Sequence, residues 1–233
     1  IIQGDIDELM IKGSIVGQKV VFAVSEFAIN IPAVDIPYSV VLRRNVIEAS
    51  ININLSHFVY TLHENRSRDN SIGLYCNIVY NLTDKKLDIQ KVMVVHRAPE
   101  ISSETIRCEV VGSITLGEVI DGIVNVSKLR FDLPSIAYTL PVSLKQSFAS
   151  SPITKPVTLQ IYTRMSISGE TNAINLNALC TIPDYSIDDL TVSAIITQKP
   201  LKGKIHIGKL DITSKKHHMD MYVQGSVLTQ DKF

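Results

Sequence analysis

The sequence predicts an all-β fold, arranged as two tandem β-sandwich domains related by internal duplication. Three observations carry that prediction. Hydrophobic residues make up 45% of the chain, isoleucine and valine dominate them, and tryptophan is absent. β-Branched side chains suit the pleated, half-buried surface of a sheet better than a helix. Apolar residues alternate with polar ones over stretches of five to sixteen residues, each closed by a turn signal, which is the period-2 pattern of strands with one buried face. Finally, the chain echoes itself in order. "IKGSIVGQ" (11–18) returns as "VVGSITLGE" (110–118), "VSEFAINIP" (24–32) as "VSKLRFDLP" (126–134), and "DIQKVMVVHRAP" (88–99) as "DLTVSAIITQKP" (189–200). Gly13 to Gly112, Pro32 to Pro134 and Asp88 to Asp189 are offsets of 99, 102 and 101.

Taken in order, "FAINIP" places Phe27, Ile29 and Ile31 on one face, and "LRFDLP" places Leu129, Phe131 and Leu133 likewise. These six are the expected core. A proline cannot donate to a ladder, so Pro32 and Pro134 are expected to close their strands or mark an edge. "IEASININLSHFVYTL" reads as one long or bent strand, joined through the polar "HENRSRDNS" to "IGLYCNIVYNL" as a hairpin. "LTDKK" is a turn before "LDIQKVMVVHR". The second copy runs through "VTLQIYTRMSI", the turn "SGETN", "AINLNALCTI" and "LTVSAIIT", with "SLKQSFA" the sole helix candidate. The expected divisions are 1–104 for the first repeat, 105–216 for the second and 217–233 for a C-terminal strand. The short polar stretch "RAPEISSET" (97–105) is read as the linker. Superposition of the halves is expected to place Gly13 over Gly112 and Pro32 over Pro134.

Composition narrows function. The 23 Lys and Arg balance 23 Asp and Glu, leaving no global electrostatic footprint for nucleic acid. No apolar run approaches the roughly 18–20 residues of a membrane helix, so membrane insertion is not expected. Cys76, Cys108 and Cys180 are odd in number and lack metal-site spacing, and read as small buried hydrophobes. His217, His218 and Asp220 lie together in sequence, but neighbouring strand residues face opposite sides, which spoils chelation. Asp184, Asp188 and Asp189 lack EF-hand spacing and read as a solvated turn. The segment 199–216 holds six lysines and one aspartate. Lysines alternating with Ile205 and Ile207 suit the wet face of an amphipathic strand, and lysine on an edge blocks unwanted pairing. Sequons occur at Asn54, Asn65, Asn81 and Asn125. No nucleophile elbow, HExxH, P-loop or dinucleotide fingerprint occurs. No enzyme activity and no cofactor are expected.

The block "FAVSEFAINIPAVDIP" followed by "VIEASININLSHFVYTL" resembles the SPOCS domain of spore-coat assembly, mainly over residues 8–96. The second copy departs from that pattern, with Lys128 and Leu129 at the positions of Glu26 and Phe27. The resemblance implies a structural or adaptor role at a spore surface or in an extracellular assembly, with no catalytic residues. The expected function is therefore non-enzymatic self-assembly of a coat, surface layer or appendage, with protein partners and a homo-oligomeric state. A viral capsid, matrix or movement protein, and a sugar- or peptide-binding module, are the alternatives. The tail "MDMYVQGSV" (219–227) repeats the opening signature of both copies. Met219, Met221, Val223, Gly225 and Val227 form the candidate assembly strand, which either folds back onto the second domain or adds to the edge of a neighbouring molecule.

Overall fold

The computed structural model describes residues 8–62, 64–141, 144–145, 151–167, 172–199 and 204–228. Strands β1 (Leu9–Val24) and β2 (Phe27–Arg43) form a long hairpin, followed by β3 (Val46–Leu62) and the two-residue β4 (Asn65–Arg66), which pairs only with β3. β5 (Asn70–Asn81) and β6 (Lys86–Ala98) come next. A 3-10 turn at Pro99–Ile101 leads into β7 (Ser103–Leu116) and β8 (Ile120–Phe131). Helix α1 (Leu133–Thr139) precedes β9 (Val157–Ile167) and β10 (Asn172–Ile182). A second 3-10 turn, Pro183–Tyr185, opens β11 (Ile187–Lys199), and β12 (Lys204–Ser214) and β13 (Met219–Leu228) complete the chain.

The all-β expectation holds, but the strands form one antiparallel sheet, with no break between halves. Order along the sheet is chain order, from β1 at one edge to β13 at the other. A sandwich requires strands that cross between two sheets. Here each strand pairs with the one before it, and even the long connection after β8 returns the chain beside β8. Residues 97–105, expected to link two domains, make a tight hairpin in which Ala98 pairs with Ser103, and position 104/105 falls inside β7. Ser102 takes the left-handed conformation there, at φ 51°, and its N–H bonds back to the Pro99 carbonyl. "PDYS" (183–186) repeats this turn at Ser186, at φ 54°.

The echoed segments lie five strands apart along the sheet: β1 and β7, β2 and β8, β6 and β11. An odd step in an antiparallel meander reverses direction, so a shift along the sheet does not superpose them. Pro32 sits inside β2 whereas Pro134 sits in α1. Strand β2 continues past Pro32 and Pro37 because its ladder to β3 is interrupted there. Pairing stops after Asn30↔Val59 and resumes at Tyr38↔Ile51, so no donor is required from either proline. The six expected core residues are all half-buried, and Leu133 belongs to the helix. That helix has a readable start: Asp132 accepts from the Ser135 N–H at 3.2 Å, and Pro134 occupies the first turn. Of "SLKQSFA", only Leu144 and Lys145 lie among the described residues.

The sheet is a single layer over most of its extent. Among the described residues, every extensive strand–strand contact joins sheet neighbours. Among the described residues, few apolar side chains are buried: Val41, Phe58, Val95, Ala98, Ala178, Ala194 and Pro141. The accessible surface, 15017 Å², exceeds the roughly 10,500 Å² of a compact chain of this mass. The deepest side chains, among them Asn70, Val95 and Thr105, gather where α1 meets β6 and β7. Arg68 and Tyr138 both donate to Glu100 there, at 2.9 and 2.6 Å.

The three glycines of the repeated signature occupy different surroundings. A Cβ on Gly112 would collide with the backbone of Ile123 and Val124, whereas one on Gly225 would meet nothing within 4 Å. Gly112→Ala should destabilise the fold by about 1–3 kcal/mol, and Gly225→Ala should stay within about 0.5 kcal/mol of the parent. Denaturant unfolding of both variants checks this contrast.

Candidate functional site

Residues directly opposite one another in an antiparallel ladder point to the same face. The registers can therefore be followed from strand to strand. Gly13 faces Tyr38, Tyr38 faces Ile51, and Ile51 faces Cys76. The row continues through Val92, Val110 and Val126 to Ile161. It ends through Ala178, Val192 and Ile212 at Met221. A neighbouring row runs from Ile11 through Val40, Ala49 and Ile78 to Ile89 and Gly112. It then passes Val124, Thr163, Leu176, Ala194 and Leu210 to Val223. Both rows cross all twelve strands of the main path, about 50 Å at the usual strand spacing, and neither contains an Asp, Glu, Lys or Arg.

The other face is polar. Lys12, Ser39, Ser50, Asn77 and Lys91 follow one another across the first strands. Asn125, Tyr162, Asn177, Ser193, Asp211 and Tyr222 do so across the last. Arg107 pairs with Glu109 at 2.6 Å and Lys209 with Asp211 at 2.5 Å on this side. Ser193 donates to Asn177 at 2.8 Å. Lys209 reaches this face beside Asp211, whereas Ile207, two residues before it, is turned to the apolar face by the bulge around Gly208.

Bulges keep the two faces separate. Six ladders shift register by one residue within β5–β9 and β11–β13, at Ile89/Val92, Val126/Leu129 and Ile207/Leu210 among others. Each insertion restores the alternation that a one-residue slip would otherwise invert. Over β8–β11 the apolar face is also the sheltered one. Val126, Ile161, Leu176 and Val192 are half-buried and Ala178 and Ala194 buried, while Gln160, Tyr162, Asn175, Asn177 and Ile195 on the polar face are exposed.

The candidate assembly strand is β13, the last strand of the sheet, folded back on β12. Met219, Met221, Val223 and Gly225 stand opposite Ser214, Ile212, Leu210 and Ile207 on the apolar face, and Val227 pairs with Ile205 in the ladder. The outer edge of β13 and that of β1 have no partner strand among the described residues. His217 approaches the Ser186 carbonyl at 3.2 Å, and Asp184 accepts from the Thr154 and Lys155 N–H groups at 2.6 and 2.7 Å. Those backbone bonds hold Asp184 below the usual carboxylate range and make it a turn staple. Among the described residues no three His, Cys, Asp or Glu side chains are placed to share a metal, and no helix is long and apolar enough to cross a membrane. The continuity of the apolar face was not part of the sequence reading. Its signal was present in the alternation of every strand, but the registers that align those strands depend on bulges.

No protein family, curated protein or solved structure matches the chain.

Among the described residues, His96 is the imidazole that the ladders place on the apolar face, opposite Ile72 and Ile106. Its Nδ1 is hydrogen-bonded to Thr105 Oγ1, and its ring meets Phe58 edge-on at 6.3 Å. Burial lowers its pKa below the ordinary value. The unfolded chain then binds the proton more readily than the folded one. Stability should be level above about pH 6.5 and fall as the pH drops through that unfolded value. Melting temperatures between pH 7.5 and 5.5 should show this loss, and His96→Gln should flatten it.

Proposed function

We infer that the chain is a non-enzymatic binding sheet whose curled apolar face takes up the hydrocarbon chains of lipids. The observation that carries this reading is the pair of uncharged rows running from edge to edge, with no second sheet packed over them among the described residues. The half-buried aliphatic side chains of this face leave apolar area against water, unfavourable by about 25 cal/mol per Å², which an apolar occupant would remove. The lining is mostly isoleucine, valine, leucine and alanine. Protein interfaces usually anchor on tryptophan, tyrosine and arginine in pockets, whereas flexible hydrocarbon needs only area and shape. A curled face about 50 Å long exceeds the roughly 30 Å of a bilayer core, which leaves room for several chains side by side.

Self-assembly into a coat, layer or appendage, including the spore-surface role implied by the SPOCS resemblance, is the second reading. The two open edges favour it, and it is compatible with the first.

The test uses full-length protein and phosphatidylcholine carrying a fluorescent acyl chain. Lipid should co-elute with the protein as a soluble complex. Ile161→Asp and Leu176→Asp should each weaken uptake by about tenfold or more, since a carboxylate against hydrocarbon costs more than 1.4 kcal/mol. Tyr162→Asp and Asn177→Asp, on the polar face, should leave uptake unchanged. Equal effects from both faces, no co-eluting lipid, or binding only by flotation with phosphatidylcholine vesicles would each contradict the uptake of individual lipids.

A further inference from the structure

We propose that a second copy of the chain docks its β1 edge against the β13 edge of the first, continuing the sheet. Both outer strands offer rows of backbone N–H and C=O groups with no ladder partner among the described residues, and another strand satisfies such a row most completely. Direction favours this pairing. The main path holds an even number of strands, so β1 and β13 run in opposite senses. A copy shifted sideways by one sheet width, without turning over, brings its β1 antiparallel to β13.

Side chains favour the same union. On the apolar face, β1 presents Ile11 and Ile15, 49% and 61% exposed, and β13 presents Met221 and Val223, 50% and 44% exposed. Sideways docking places these four on one side and extends the uncharged face into the next molecule. Charge separates this contact from its like-with-like alternatives. β1 carries Lys12 and Lys19 and no acidic residue, while β13 carries Asp220 and no basic one. Lys12 and Asp220 belong to the polar face in their respective ladders, opposite Ser39 and Thr213. Pairing β1 with β1 can set only lysine against lysine, whereas pairing β1 with β13 offers Lys12 an aspartate, Asp220, on the same face. The contact is heterologous and leaves a free edge of each kind, so copies add in a row. The join stands on the edges alone; the shared lipid-lined trough it would create rests on the reading of the apolar face given above.

Charge exchange between the edges, followed by sedimentation velocity of the full chain over a concentration series, tests the proposal. The parent should form oligomers that grow with concentration and weaken with added salt. Lys12→Glu with Lys19→Glu, and separately Asp220→Lys, should each raise the apparent dissociation constant about threefold to tenfold. A chain carrying all three changes should recover the parent's association, which a merely structural role for these residues does not produce. Circular dichroism and melting curves check that each variant is folded. A parent that stays monomeric throughout, or a triple variant no better than the single-edge ones, overturns the proposal. Lipid uptake by the monomeric variants is read in parallel. Uptake without association defeats only the edge contact, and association without uptake defeats only the lipid reading.

Discussion

Register is the constraint on which the rest of this structure depends. A sheet keeps one apolar face only if every ladder steps by whole pleats, because a slip of one residue moves a whole strand's side chains to the other side. Twelve strands satisfy that condition in succession here, from Gly13 and Ile11 at one edge to Met221 and Val223 at the other. Where strand lengths or turns would break the phase, a bulge absorbs the extra residue, as between Ile89 and Val92 or Val126 and Leu129. The polar face follows from the same rule and carries the Arg107–Glu109 and Lys209–Asp211 pairs.

The single layer has consequences for both stability and function. With few fully buried residues, the fold rests on backbone ladders and on the packed end where α1, β6 and β7 meet. Asp132 starts the helix, and the Arg68–Glu100–Tyr138 hydrogen bonds hold that end together. Elsewhere the aliphatic side chains of the sheet are mostly half-buried. A face built in this way suits an occupant that brings its own apolar surface and makes no demand for polar anchors. The same architecture leaves β1 and β13 exposed at the margins, so binding on the face and growth at the edges arise from one arrangement.

Much of this was legible in the sequence, element by element. Alternation identifies the strands "VTLQIYTRMSI" and "AINLNALCTI" and the hairpin around "HENRSRDNS", and "MDMYVQGSV" lies in β13, a strand of the same sheet. The layering was not legible, because an apolar strand face reads the same whether a second sheet, a lipid or nothing lies against it. The echo between the halves suggested duplicated domains, but a step of five strands reverses direction, a property of topology that local similarity does not carry. Pro32 was read as a strand end because its missing donor matters only if a neighbour asks for it, and β3 does not pair there. The start of α1 was present in Asp132 and Pro134 and was hidden by the strand-like run before it.

The absence of native tryptophan makes the central claim directly measurable. Single tryptophans placed at Ile161 on the apolar face and at Tyr162 on the polar face report the two environments separately. With phosphatidylcholine brominated on its acyl chains, emission from position 161 should shift to shorter wavelength and be quenched, while emission from position 162 should not change. Quenching at neither position, or equally at both, would contradict an apolar face occupied by hydrocarbon.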